Sequence, residues 1–111
     1  MKYHLRLYIT GTTLASRHAV TNLGLLCQGE LAGLCDVDII DILENPQMAE
    51  EEKILATPTL VKRTPAPIRK VIGDLSRSDK VLMGLGLEMH LQDGVRIDQG
   101  SPSSARKGAS L

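Results

Sequence analysis

The sequence predicts one α/β domain whose strands and helices follow in the order β-α-β-α-β-β-α. Two features of the pattern carry this prediction. In the first half, β-branched apolar runs alternate with a segment of helical spacing. In the second half, two short β-rich runs flank the proline-containing segment 63–67, which indicates a hairpin, and a last helix follows. A chain of 111 residues with 42% hydrophobic residues can bury one core of this kind.

The first half is typical of a parallel strand-helix-strand unit. The run from His4 to Thr10 is nearly continuous in apolar residues, with Tyr8 on the face opposite to the leucines, as in a strand covered on both sides. The threonines that follow can cap a helix that ends before Gly33, because its apolar residues recur at three and four positions. Residues 36–42 then form a second strand, which a crossover helix places parallel to the first.

Prolines mark the predicted boundaries of the elements in residues 45–72. Asn45 is predicted to cap a short helix that has Pro46 at its first position and continues to Lys53. A strand begins at or just after Pro58. Segment 63–67 is predicted to be a loop because its prolines cannot donate to a sheet, and residues 68–72 form the returning strand.

The last helix is predicted to begin at Ser76, which with Asp79 resembles a capping box. Gly84 and Gly86 lie within its apolar run, where each glycine costs up to about 1 kcal/mol relative to alanine, so they either permit close packing or end the helix. Beyond residue 91 the chain turns to small, polar and charged residues. We therefore expect a domain of residues 1–91 and a disordered tail of residues 92–111.

Three stretches carry a resemblance to a known family: LENPQMAEEEKILATPTL (43–60), PIRKVIGDLS (67–76) and the strand Leu7-Tyr8 with its turn at Gly11. They are similar to the KaiB family of circadian-clock proteins. The resemblance extends over residues 3–90, and it is specific because the matching words are long and keep their order. The element order, with a Thr-Pro directly before the hairpin, is that of the thioredoxin-like fold. In that fold the proline is typically cis, which makes Pro58 the candidate cis-proline.

The resemblance implies a non-enzymatic timing regulator that binds a KaiC-like ATPase and modulates its phosphorylation cycle, in a circadian oscillator or in a simpler timing or stress system. Further partners that it implies are a KaiA-like protein, a sensor histidine kinase and other copies of the same chain, as a dimer or tetramer. It also implies a switch between a thioredoxin-like monomer and a self-associated ground state in which the second half is rearranged.

The switch would involve a small set of residues. By position in the resemblance, Tyr8, Gly84 and Gly86 fall where the family's fold balance is tuned, and Gly86 stands where many members have Asp. Residues 58–86 contain three prolines and three glycines, which interrupt regular helices and strands. Two packings of similar stability are therefore more plausible there than in the first half.

The alternative function is that of a thioredoxin-like or glutathione-handling redox protein. Such chemistry needs a low-pKa thiolate at a helix N-terminus, but residues 12–16 are Thr, Thr, Leu, Ala and Ser. A hydroxyl there could still contact a glutathione sulfur. Cys27 and Cys35 have the spacing of neither a redox pair nor a zinc site, and we expect them to be buried as small hydrophobes. We therefore predict no catalytic residue.

Composition and spacing argue against other functions. A formal charge of zero and only two aromatic residues disfavour nucleic-acid binding. No apolar run approaches the roughly 20 residues of a membrane span, and the first residues do not resemble a signal peptide, so we expect a cytoplasmic protein. The histidines have no acidic or cysteine partner at ligand spacing, so no metal or cofactor is predicted. The acidic triplet 50–52 is expected on a solvated helix face.

Overall fold

The computed structural model describes residues 2–87. Its elements follow the predicted order: β1 (Tyr3–Ile9), α1 (Leu14–Gln28), β2 (Cys35–Asp41), α2 (Pro46–Glu51), β3 (Thr59–Thr64), β4 (Arg69–Ile72) and α3 (Ser78–Gly84). The predicted tail and the last positions of the predicted domain lie outside the described residues. No helix within residues 2–87 is long and apolar enough to cross a membrane.

The four strands form one mixed sheet in the order β2-β1-β3-β4. β2 is parallel to β1, as a helical crossover requires, and Tyr3 lies opposite Cys35. β3 is antiparallel to both β1 and β4. The predicted parallel unit and the predicted hairpin are therefore both confirmed, and they meet at the centre of the sheet, where β1 pairs with β3.

Side chains alternate between the two faces of β1, and each face carries its own core. Leu5 and Leu7 join a large cluster covered by α1 and α3. Tyr8 points the other way and is fully buried with Ala49 of α2 and Val61 of β3. The predicted division of β1 between its leucines and its tyrosine is confirmed.

The starts of α1 and α2 agree with the sequence in position, but of these two helices only α1 has a side-chain capping bond. Thr13 caps α1, and its hydroxyl accepts a hydrogen bond from the Ser16 amide at 3.3 Å. Asn45 stands at the N-cap of α2, but its side chain donates to the Asp41 carbonyl at 3.2 Å and makes no capping bond. The predicted end of α2 at Lys53 is wrong: the helix ends at Glu51, and Lys53 has a φ of 59°.

The hairpin begins later than predicted. Arg63 and Thr64, expected in the loop, belong to β3, while the pairing of β3 with β4 stops at Lys62. Thr64 still pairs with His4 of β1 on the other side. Because Arg63 and Thr64 keep the backbone donors that the prolines lack, the strand can follow β1 up to Pro65.

The predicted capping box of α3 is also wrong. The helix begins at Ser78, and Arg77 at its N-cap makes no side-chain capping bond. The Ser76 amide is instead bound by the Asp74 carboxylate at 3.1 Å, which holds these residues in a turn. Helical spacing located the helix, whereas the local pattern of Ser and Asp placed its start two residues too early.

Candidate functional site

The β1–α1 connection occupies the position where a redox protein of this fold would need its thiol. Ser16 is 1% exposed, and its hydroxyl accepts a hydrogen bond from the Thr10 amide at 3.0 Å. The Thr13 hydroxyl is engaged by the Ser16 amide. Both hydroxyls therefore help to hold the turn together, and Ser16 is buried away from any bound thiol compound.

Pro58 lies beside this connection. The Thr57–Pro58 peptide bond is cis, as are those before Pro65 and Pro67. The hydroxyls of Thr57 and Thr10 hydrogen-bond each other, so the loop before β3 is joined to the end of β1. The Pro58 carbonyl accepts from the Gly73 amide at 2.9 Å, which ties the same loop to the end of β4.

The two cysteines lie elsewhere, at the end of α1 and the start of β2. Cys27 and Cys35 are free thiols that pack half-buried against the large core cluster, so the expectation that they are buried small hydrophobes is met only in part. Burial raises the pKa of Cys27. Burial, together with the nearby Cys27 and Asp36, raises the pKa of Cys35 to about 11. Because the thiolate is the reactive form, both cysteines have the opposite of a redox-active environment.

Tyr8 lies in a polar cluster that the sequence did not suggest. Its hydroxyl donates to Glu52 Oε1 at 3.2 Å and accepts from Arg6 Nη1 at 3.1 Å. Arg63 Nε approaches the same carboxylate oxygen at 3.3 Å. Burial raises the pKa of Tyr8, an effect that the Arg6 guanidinium partly offsets. The cluster joins β1, β3 and the end of α2.

Glu52 was expected on a solvated helix face, and that expectation is wrong. Its side chain is only 12% exposed. The three acidic residues of the triplet do diverge, but Glu52 follows the buried Ala49 by three positions and so shares its side of the helix. The spacing from Ala49 was the sequence signal that could have identified this residue.

His4 also has a partner that its neighbours in sequence could not reveal. Its Nε2 lies 2.9 Å from Asp38 Oδ2, on the adjacent strand β2. Within residues 2–87 no three His, Cys, Asp or Glu side chains are grouped as metal ligands.

Gly84 and Gly86 lie together at the end of α3, on the other face of the sheet from Tyr8. A Cβ atom at Gly84 would lie 2.7 Å from Val71 Cγ2. Gly86 has a φ of 74°, in the left-handed region that ends helices. Gly84 thus permits close packing on β4, and Gly86 ends the helix. The structure does not bring these glycines into contact with Tyr8.

The contact at Gly84 leads to a test by double-mutant cycle. Gly84→Ala gains up to about 1 kcal/mol of helix propensity but forces overpacking that typically costs about 1–3 kcal/mol. In a Val71→Ala background the contact is absent, so there we expect Gly84→Ala to stabilise the domain. Urea unfolding of the four proteins should give a coupling free energy of about 1 kcal/mol or more. Effects that add within about 0.5 kcal/mol would show that α3 and β4 do not pack in this way.

Comparison with known proteins identifies the family. The KaiB domain model matches residues 6–87. The circadian clock protein KaiB3 of Synechocystis sp. is 49% identical, in an alignment that covers 80% of this chain and 92% of that protein. The circadian clock oscillator protein KaiB of Prochlorococcus marinus is 46% identical, with 92% of this chain and 87% of that protein covered.

Two solved structures confirm the predicted thioredoxin-like fold. The N-terminal domain of Synechococcus elongatus SasA superposes with a TM-score of 0.66 at 23% identity, covering 86% of this chain and 90% of that one. Mitochondrial thioredoxin 3 of Saccharomyces cerevisiae gives a TM-score of 0.63 at 19% identity, with 77% of each chain covered. At these identities the likeness concerns the fold alone. The fold, the thiol-free turn before α1 and the sequence matches lead to one conclusion: the chain belongs to the KaiB family.

Proposed function

We propose that this protein is a non-enzymatic timing regulator of the cytoplasm that binds a KaiC-like ATPase and modulates its phosphorylation cycle. The observation that carries the proposal is the match of residues 6–87 to the KaiB domain, together with curated relatives that are circadian clock proteins. A KaiA-like protein and a sensor histidine kinase are further proposed partners.

The site chemistry supports binding over catalysis. The turn before α1 has no thiol, and Ser16 is buried with its hydroxyl bonded to the Thr10 amide. The raised pKa of Cys35, about 11, keeps that thiol protonated at neutral pH. These features disfavour a redox function and support the proposed binding role.

We also propose that the protein exchanges between this thioredoxin-like arrangement and a self-associated state, a dimer or tetramer, in which the second half is rearranged. Gly84 and Gly86 support this proposal. The packing of α3 on β4 depends on the close contact at Gly84, and the end of the helix depends on the left-handed backbone of Gly86. A helix of seven residues with these two constraints contributes little stability of its own. Tyr8, in contrast, ties β1 to α2 and would favour the arrangement described here.

Sedimentation tests the binding proposal directly. Analytical ultracentrifugation of the protein with a KaiC-like ATPase should show co-sedimentation, and the protein alone should sediment as a dimer or tetramer. A parallel time course of ATPase phosphorylation should change when the protein is added. Independent sedimentation together with an unchanged time course would contradict the proposal.

A further inference from the structure

We propose that the cavity beside Tyr8 binds a small oxyanion, a free phosphate or the phosphate group of a monoester. The cavity has a volume of about 320 Å³ and is lined by Arg6, Met48, Glu51, Glu52 and Arg63. It lies on the α2 face of the sheet, between β1 and β3. Nothing in the predicted function requires it.

The two arginines of this cavity share one largely buried carboxylate. Glu52 is the carboxylate withdrawn from solvent, with 12% of its side chain exposed. Two guanidinium groups converge on its Oε1 atom, from Arg6 at 3.6 Å and from Arg63 at 3.3 Å. Glu51, the other carboxylate of the lining, is exposed and contacts Gln47 at 3.5 Å. Arg63 is 38% exposed and, like Glu51, reaches solvent. The four formal charges of the lining cancel, but both guanidinium groups are directed at the same carboxylate oxygen, and an oxyanion would give them a second acceptor.

Hydrogen-bond donors in the cavity exceed the bonds that they form. The Tyr8 hydroxyl donates to Glu52 Oε1 at 3.2 Å, whereas Arg63 Nε at 3.3 Å and Arg6 Nη1 at 3.6 Å lie near that oxygen without forming a hydrogen bond to it. In the described part of the chain, Arg6 Nε and Arg63 Nε are shielded from solvent and make no hydrogen bond. An unpaired buried donor on a charged group is costly, which favours an additional acceptor. Guanidinium groups pair with phosphate oxygens through two parallel bonds, so the acceptor that fits best is an oxyanion.

The size and lining of the cavity restrict the ligand. Its volume far exceeds the roughly 30 Å³ that a water molecule occupies in the liquid, so a phosphate group fits with room for a short ester substituent. Four of the five lining residues are charged, and Met48 alone is apolar. A lining of this kind disfavours an apolar ligand and favours a charged one.

Binding would also favour the arrangement in which the cavity exists. Arg6 belongs to the first half of the chain, and Arg63 and Glu52 belong to the second. A ligand that contacts both halves stabilises the state that brings them together. This consequence rests on the proposed switching, whereas anion binding itself does not. Binding is therefore measured without the ATPase, so that the two proposals can fail separately.

The experiment is a titration of the purified full chain with inorganic phosphate at constant ionic strength, followed by NMR and by thermal unfolding. We expect saturable binding with a Kd of about 1 mM, the affinity of roughly two charge-assisted hydrogen bonds. Phenyl phosphate forms a second arm. Tighter binding of phenyl phosphate would assign the site to a phosphate monoester, and equal or weaker binding would assign it to the free ion.

Three variants separate this site from general charge attraction. Arg63→Gln should weaken phosphate binding about tenfold or more. Arg63→Lys should weaken it less, because lysine keeps the positive charge and loses only the paired donors of the planar guanidinium group. Glu52→Gln should tighten binding, because it removes the carboxylate that competes for the same donors. The matched control is Arg17→Gln, an exposed arginine of α1, which covers the opposite face.

The outcomes that overturn the proposal are equally concrete. Absence of saturable binding of either anion up to about 20 mM would do so, since two such bonds give millimolar affinity. Equal losses in Arg63→Gln and Arg17→Gln would show attraction by net charge alone. Weaker binding in a Glu52→Gln protein that is folded by circular dichroism would show that the carboxylate does not compete with the ligand.

Discussion

Replacing Tyr8 by alanine is expected to destabilise the domain by about 3–5 kcal/mol, the usual cost of deleting a large buried aromatic side chain. The ring is fully buried between Ala49 and Val61, in a cluster too small to close over the space that it leaves. The substitution also removes the hydroxyl that links Arg6 to Glu52. Since small domains are stable by about 5–15 kcal/mol, this is a large fraction of the total.

The matched variant Tyr8→Phe separates the ring from the hydroxyl. It keeps the ring, and Arg6 remains 3.6 Å from Glu52 and can pair with it directly, so we expect a loss of only about 1–2 kcal/mol. Urea unfolding should be measured at one fixed protein concentration, because self-association would couple stability to concentration. A loss below about 1 kcal/mol for Tyr8→Ala would contradict the packing of α2 against the sheet.

The second large effect concerns the thiols, which should react slowly in the native protein. With a pKa of about 11, Cys35 is ionised to about one part in a thousand at pH 8, whereas an ordinary thiol is about one quarter ionised. A more basic thiolate is intrinsically more nucleophilic, which recovers about tenfold. We therefore expect alkylation by iodoacetamide about 20-fold slower in the native chain than in the unfolded chain.

The pH dependence of the Cys35 alkylation rate shows whether the pKa of this thiol is raised. Because the pKa is raised, the alkylation rate of Cys35 should keep rising about tenfold per pH unit from pH 8 to pH 10, where an ordinary thiol levels off. Cys27→Ser leaves Cys35 as the single thiol for this measurement. Insulin-disulfide reduction should stay at background in the wild type. A fast-reacting native thiol, or reduction that disappears in Cys27→Ser, would contradict the non-redox interpretation.

The parts of the fold that follow from regular spacing could be predicted from the sequence. Alternation in β1 placed Tyr8 opposite the leucines, and the proline-containing segment located the hairpin between β3 and β4. The boundary at Arg63 and Thr64 could not be found in this way, because pairing with β1 prolongs β3 beyond its pairing with β4. Tertiary pairing overrides a local turn signal there.

The candidate site was less predictable because it is assembled from distant segments. Tyr8 and Glu52 are 44 positions apart, and His4 and Asp38 are 34 apart, so no spacing rule connects them. The role of Glu52 could be inferred only from its position relative to Ala49. For Gly84, the sequence left open whether it packs closely or ends the helix, and only the proximity of Val71 decides between these.

We propose that the ATPase binds the thioredoxin-like arrangement of a protein that also adopts another one. Stopped mixing with the ATPase in excess tests this proposal most directly. If the binding arrangement is about 1% populated, apparent affinity falls about 100-fold and association is limited by the conformational step. We expect the observed association rate to level off as the ATPase concentration rises. The rate should also differ between the wild type and Gly86→Asp, because this substitution places a side chain at a φ of 74°. Equal rates in wild type, Gly84→Ala and Gly86→Asp, each rising linearly with ATPase concentration to the diffusional range, would contradict the proposal.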